Sequence, residues 1–219
     1  MIDLSRYTGD QAFQATGWLV IDFEGTTPAH HPPEPIEVGA VLLRLDGARL
    51  VEIRRFEALI RPPAHAPITG FDFAQTGITA AMLADQPSAE AVLAGLNAIL
   101  TQPPYLLVAH HAPTEAGILT RYAQACPTLA AAAMLDTLRL ARHAYPELAS
   151  HTLDTLLTHL GVTIPAGRHR ALPDAVATAE VLQHLLTEGS LRHRWSRLSQ
   201  LHQLAGLPPP AGRAQTSLF

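Results

Sequence analysis

The run Trp18-Leu-Val-Ile-Asp22-Phe-Glu24 constrains this chain more than any other segment. Trp18 to Asp22 is short, apolar and β-branched, as a buried strand is, and the chain then turns acidic. Because side chains alternate across a strand, Asp22 and Glu24 leave one face while Phe23 leaves the other. Two carboxylates at the mouth of an apolar strand are costly to hold without a cation. An Asp-x-Glu by itself is also what a strand looks like where it reaches solvent. Here Gly25-Thr26-Thr27 follows at once and offers backbone and hydroxyl donors to a substrate.

Two further apolar runs, Ile36 to Leu45 and Val51 to Ile60, flank Asp46-Gly47, a good antiparallel hairpin signal. After Pro62 the pattern predicts helices over Thr79–Ala84 and Ser88–Leu100, then an almost wholly apolar strand, Tyr105–Ala109. A helix begins at Pro113. A strand-like piece ends at Asp136, and helices follow near Thr137–His143 and His151–Leu160, the latter closed by Gly161. The last core helix runs from about Pro173, a favoured first-turn proline, to Leu186. Three leading strands followed by alternating helices and strands indicate an α/β domain whose mixed sheet is flanked by helices.

At 219 residues and 47% hydrophobic content the chain can bury one core of ordinary size. It divides into an N-terminal lead (1–16), a catalytic domain (17–189), a basic amphipathic helix within 190–206, centred on Leu191–Leu204 and ended by Gly206, and a Pro-rich tail (207–219). A single cysteine, Cys126, can neither form an internal disulfide nor anchor a zinc site. Met1 to Gly17 lacks a basic start followed by an apolar core, and no apolar run reaches spanning length. The expectation is a cytoplasmic protein with no membrane partner. A net charge of −4, with all fifteen basic residues arginine, does not suit a protein that grips long duplexes. It suits one that holds a few terminal nucleotides through metals bound to its own acids.

Two more segments carry candidate chemistry. In His169-Arg-Ala-Leu-Pro-Asp174 an imidazole precedes a helix whose first turn holds a carboxylate, and a histidine, with an ordinary pKa of about 6.5, suits proton removal from water near neutral pH. In Val108-Ala-His-His-Ala-Pro-Thr-Glu115 a buried strand leads into a helix with an acid in its first turn. By itself Glu115 there reads as a helix N-terminal acid, worth about 0.3–1 kcal/mol.

In this order the pieces resemble the three motifs of the DnaQ-like DEDDh exonuclease superfamily, which has an RNase H-like fold. The likeness covers about Trp18 to Leu186. Asp22-Phe-Glu24 resembles motif I, Ala109-His-His-Ala-Pro-Thr-Glu115 motif II, and His169 to Asp174 with Ala175-Val-Ala-Thr-Ala179 motif III. Thr76-Gly-Ile-Thr, Asp136-Thr-Leu-Arg-Leu-Ala-Arg and Ser150-His-Thr-Leu-Asp-Thr-Leu resemble the connecting segments. Motif II of the family usually reads His-Asn-Ala-x-Phe-Asp, and the Asn, Phe and Asp positions are His111, Thr114 and Glu115 here. Thr76 stands where proofreading relatives often carry His.

The resemblance implies 3′-to-5′ hydrolysis of single-stranded DNA ends with two Mg²⁺ or Mn²⁺ ions. Asp22, Glu24 and Asp174 would hold one ion, Asp22 with Glu115 the second, and His169 would be the general base. Phe23 and the Gly25-Thr26 backbone are candidates for holding the terminal nucleotide. The last residues, Gln215-Thr-Ser-Leu-Phe219, resemble the peptide by which bacterial replication and repair proteins dock into the sliding clamp, with Gln215, Leu218 and Phe219 as contacts after the linker Pro208–Gly212. A DNA polymerase is a further candidate partner. Two rival readings remain: an RNA exonuclease of the same superfamily, and a binding module that mainly carries the tail to its partner.

Overall fold

The computed structural model describes residues 1–163 and 167–207. Its six-stranded sheet has the order β3-β2-β1-β4-β5-β6. The strands are β1 (Gly17–Gly25), β2 (Pro35–Asp46), β3 (Arg49–Leu59), β4 (Tyr105–Ala109), β5 (Ala133–Asp136) and β6 (Gly206–Leu207). β1 pairs antiparallel with β2 and parallel with β4; β4 and β5 are parallel, and β6 returns antiparallel. The mixed α/β sheet of the expectation is therefore present, with the hairpin turning at Gly47 in the left-handed region, φ 58°.

The helices are α1 (Gln11–Ala15), α2 (Gly70–Thr76), α3 (Ala80–Leu83), α4 (Ala89–Ala98), α5 (Pro113–Arg121), α6 (Pro127–Ala131), α7 (Thr137–Ala144), α8 (Leu153–Leu160), α9 (Ala171–Arg192) and α10 (Leu198–Ala205). They cover both faces of the sheet. Trp18, Val20, Val41, Leu106, Val108 and Leu135 pack with α7 to α10. Leu19, Ile21, Val38, Ala40, Leu42 and Leu107 pack with α4 to α6. The alternation along β1 thus sends its even-numbered side chains towards α9, and Asp22 and Glu24 continue that series.

One contact sets where α9 begins. Gly39 of β2 lies so close to it that a Cβ there would sit 2.2 Å from the Leu172 nitrogen. Two residues earlier the fully buried Glu37 accepts from Arg170 Nε at 3.0 Å, from the same guanidinium's terminal nitrogen, and from the Ala171 backbone N–H at 2.9 Å. A buried carboxylate is tolerable there because charge-assisted donors satisfy it.

Several boundaries differ from the expectation. α2 and α6 carry no long apolar period and were not foreseen; Thr69 and Asp72 instead build a reciprocal capping box that starts α2. The last core helix begins two residues before Pro173 and continues past Leu186 to Arg192, because its later polar positions find partners: Thr187 Oγ1 accepts from the Asp3 N–H at 3.2 Å and the Leu186 carbonyl from the Tyr7 hydroxyl at 3.3 Å. The single helix expected over Leu191–Leu204 is two elements. Trp195 folds back over Gly189, where a Cβ would strike its ring, and donates its backbone N–H to the Gly189 carbonyl at 3.0 Å. The arginines 194 and 197 fall in or beside this break, and α10 buries Leu198, Leu201 and Ala205 in the core shared with α9. Gly206 enters β6 beside Leu135 rather than simply ending a helix. The clamp-like peptide and its linker lie outside the described residues. Among those that are described, no helix is long and apolar enough to cross a membrane.

The crossing at Gly39 yields a test. Gly39→Ala should destabilise the domain by about 1–3 kcal/mol, the range for forcing a methyl group into a packed interior. Urea unfolding monitored by circular dichroism reads it, and a midpoint within error of the unsubstituted protein would refute the close approach.

Candidate active site

β1 delivers Asp22 and Glu24 to the end of the sheet, opposite Gly39 and Glu37 of β2 respectively. Because Gly39 has no side chain, the first turn of α9 reaches over Asp22 and places Asp174 beside it. A register shift between Glu24 and Gly25 then bends the strand away. Ligand atoms of Asp22, Glu24 and Asp174 all lie within 4.8 Å of one another. Three hard oxygen donors at that spacing fit a divalent cation such as Mg²⁺ or Mn²⁺.

Asp174 is held from two sides. One oxygen accepts the backbone N–H of His169 at 3.3 Å, which fixes the loop in a left-handed conformation, φ 63°, at that histidine. The other forms an ion pair with Arg168, whose Nε also contacts Asp154 of α8 at 2.7 Å. His169 itself is exposed.

The fourth acid arrives from the other face of the sheet. β4 runs parallel to β1, and the turn after it starts α5 with Glu115 in the first turn. Asp136 fixes that turn: one of its oxygens accepts the N–H of His111 at 3.1 Å and of Leu138 at 2.9 Å. His111 itself has φ 73°, a conformation that Asn and His tolerate better than most residues, so this substitution at the family's Asn position keeps the turn. His110 points inward between Thr137, at 2.9 Å from Nδ1, and the His151 carbonyl, 3.0 Å from Nε2. The carbonyl requires the proton on Nε2, which leaves Nδ1 an acceptor beside the Thr137 hydroxyl, a hydroxyl that also donates to the Ala109 carbonyl at 3.2 Å. Burial lowers the pKa of this histidine to about 4 and keeps it neutral.

Glu115 is only 4% exposed, and its Oε2 is buried with no hydrogen-bond partner. An orphaned buried carboxylate oxygen demands a cation or a proton. The electrostatics agree. Withdrawal from water, then the neighbouring Glu115, Glu24 and Asp174, raise Asp22 well above the usual carboxylate range, against the pull of Arg168. Burial and Asp174 raise Glu24 to about 7, and burial raises Glu115 to about 8.

The structure brings together Asp22, Glu24 and Asp174, with His169 adjoining and Glu115 close enough to repel Asp22. Two of the candidates for holding the terminal nucleotide are largely enclosed. The Phe23 ring is 8% exposed and packed in the core with α4 to α6, so it offers no surface to a base. The Thr26 side chain is fully buried, and its N–H already donates to the Glu34 carbonyl at 2.8 Å. Gly25 remains at the register shift. Sequence reasoning missed Arg168, Asp154 and the Glu37–Arg170 pair, whose roles depend on contacts between distant segments.

The raised carboxylates predict how the metal-free protein responds to pH. A group whose folded pKa lies above its unfolded value binds more protons folded than unfolded, so its stabilisation is lost as pH rises through the folded pKa. For Glu24 and Glu115 that loss extends to about pH 8, whereas the depressed His110 destabilises only below about pH 6.5. The thermal midpoint in chelator should therefore fall between pH 6.5 and 8, and added Mn²⁺ should restore it. A midpoint that climbs across this window in chelator would contradict the assignment.

An exonuclease family model (RNase_T) matches residues 19–182. The PolC-type DNA polymerase III of Caldanaerobacter subterraneus is 33% identical over 180 residues, which are 82% of this chain and 12% of that protein. A DNA polymerase III subunit epsilon-like protein of Rhodobacter capsulatus is 35% identical over 154 residues, 70% of this chain and 21% of that one. This chain thus spans only a small part of the curated relatives it matches. Among solved structures, the nuclease domain of 3′hExo, a DEDDh family member bound to rAMP, superposes with a TM-score of 0.67 at 21% identity, covering 82% of this chain and 95% of that domain. With an exonuclease match across most of its length, and with the carboxylates of all three motifs gathered at one end of its sheet, the chain belongs to the RNase_T exonuclease family.

Proposed function

We propose that this protein is a metal-dependent 3′-to-5′ exonuclease that removes nucleoside 5′-monophosphates from single-stranded DNA ends. The observation that carries this reading is the convergence of Asp22, Glu24 and Asp174 within 4.8 Å, beside the unsatisfied oxygen of buried Glu115. Asp22, Glu24 and Asp174 would hold one divalent ion, Mg²⁺ or Mn²⁺, and Asp22 with Glu115 would hold the second. Such a pair would supply positive charge that stabilises the entering and leaving oxygens of a displacement at phosphorus.

The remaining steps belong to the chain itself. His169, on the loop tied to Asp174, takes a proton from the attacking water. The new bond joins that oxygen to the terminal phosphorus, and the bond from phosphorus to the upstream 3′ oxygen breaks. The 3′ oxygen takes up a proton, leaving a 3′-hydroxyl end for the next cycle. Asp136 and the Glu37–Arg170 pair keep the two acid-bearing helix turns in place.

Both curated relatives are DNA polymerase III proteins, which supports DNA as substrate and a place in replication or repair. The likeness to a domain bound to rAMP supports RNA as the second reading. A 5′-labelled oligonucleotide in DNA and RNA forms, with Mg²⁺ or Mn²⁺, separates them. We expect a 3′-shortening ladder on DNA that Asp22→Ala reduces by about a thousandfold, since several kcal/mol of charge stabilisation is removed. Glu115→Gln should lower the Mn²⁺ stoichiometry in calorimetry from two ions to one, while Glu115→Asp, which restores the family's acid, keeps both. No ladder on either polymer would end the enzymatic reading.

The tail Gln215-Thr-Ser-Leu-Phe219 supports docking to a bacterial sliding clamp through its sequence alone. A short apolar peptide on a Pro-rich tether suits pocket binding and raises the local concentration of enzyme at DNA ends. Surface plasmon resonance on immobilised clamp should show binding that Leu218→Ala with Phe219→Ala removes; equal binding by that variant would exclude the tail as the contact.

A further inference from the structure

The acid cluster already has a cation of its own. Arg168 forms an ion pair with one oxygen of Asp174, and among the described residues no other basic side chain is paired in this way with Asp22, Glu24 or Asp174. Its charge reaches the rest of the cluster, since it lowers Asp22 and Glu24 against the acids around them. The other end of the bridge is more open. Arg168 Nε contacts Asp154 of α8 at 2.7 Å, and the Asp154 side chain is 55% exposed, against 9% for Asp174. One guanidinium thus spans a solvated carboxylate and a buried one.

That contact conflicts with a metal ion in the same place. Ligand atoms of Asp22, Glu24 and Asp174 lie within 4.8 Å of one another, so an ion held by all three stands close to whatever touches Asp174. The oxygen of Asp174 that accepts the His169 N–H can keep that neutral donor beside a metal, because a carboxylate oxygen has a further lone pair. The other oxygen carries a full positive charge at contact distance. Like charges that near repel even through bulk water, and a dication repels twice as strongly as a monovalent ion.

We propose that Arg168 is the resident counter-ion of the metal-free site, and that an entering divalent ion displaces its guanidinium from Asp174 onto Asp154. This rests on the metal-dependent reading given above and deepens it. Asp154 can receive the guanidinium because Nε is already there and a carboxylate takes an arginine through two parallel N–H···O bonds. Arg168 and Asp154 are then positioning residues with opposite effects on metal affinity. Arg168 weakens binding by competing for Asp174, and Asp154 strengthens it by drawing Arg168 away. In the metal-free protein the same bridge offsets part of the repulsion among the acids.

Mn²⁺ binding to the full chain tests this without any cleavage, read by loss of the free-ion electron paramagnetic resonance signal. The titration is run at about pH 8.5, where protons compete less for Glu24 and Glu115. Arg168→Gln removes the competing charge and should tighten Mn²⁺ binding about tenfold, while Arg168→Lys, which keeps the charge, should return affinity towards that of the unsubstituted protein. Asp154→Asn, at an exposed position, should weaken binding, and that loss should vanish when it is combined with Arg168→Gln, since no guanidinium is left to draw away. A residue that merely props Asp174 gives the reverse: weaker or unchanged binding in Arg168→Gln overturns the proposal, as does an Asp154→Asn loss that persists in the double variant. Should Arg168→Gln fail to fold by circular dichroism, the side-chain nitrogen resonances of Arg168 in the unsubstituted protein decide. Added Mg²⁺ should shift them, and an unmoved set overturns displacement. Mn²⁺ bound by no form of the protein would instead end the metal-dependent reading itself, and displacement with it.

Discussion

The site depends on how closely the start of α9 crosses β2. Gly39 removes the side chain that would separate them, and Glu37 turns the remaining polar backbone into a partner through Arg170 and the Ala171 N–H. A buried ion pair of this kind contributes little net stability, because desolvating both charges offsets most of their attraction. Its effect is positional. With several charge-assisted bonds converging on one carboxylate, the first turn of α9 has a single register on the sheet, and Asp174 falls beside Asp22 and Glu24 instead of a turn away. Sliding α9 by one residue would rotate Asp174 by about 100° around the helix and empty the cluster.

A second bridge, from Arg168 to Asp154 and Asp174, bears on the electrostatic state of the site. Four acids approach one another; Arg168, shared between Asp154 and Asp174, lowers Asp22 and Glu24 against their neighbours, and Arg170 also lowers Glu24. The two arginines do not neutralise them, since both remain raised. The metal-free acids therefore hold protons to higher pH than ordinary carboxylates, and ionising them together is a local cost in stability. Glu115 takes part in this despite its extra methylene, because Asp136 anchors the turn that precedes it.

Much of this was legible in the sequence, and the rest fails for identifiable reasons. The strands, the hairpin and the acid pair follow from local pattern: a β-branched run, an Asp-Gly turn and the two-residue alternation. Asp174 and His169 were recoverable because a single segment carries both. Phe23 was assigned to the substrate although the same alternation that sends Asp22 outward sends Phe23 into the α4–α6 core. Arg168 was invisible because its partners, Asp154 and Asp174, come from two helices whose packing no local pattern reports. The break at Trp195 was missed because a tryptophan in an amphipathic run reads as one more apolar position. Only its fit over Gly189, six residues earlier, ends the helix.

Glu115 shows how magnitudes choose between two readings of one residue. An acid in the first turn of a helix is favoured by the helix dipole by about 0.3–1 kcal/mol, and that is sufficient reason for one on an exposed helix. Were that its role, ionisation would be easier here and the carboxyl would sit at or below its ordinary range. Burial instead drives it from 4.5 to about 8, an opposing effect of several kcal/mol at about 1.4 kcal/mol per unit. The dipole is outweighed severalfold. A residue that costs the fold this much while supplying so little to its helix is not accounted for by the helix dipole.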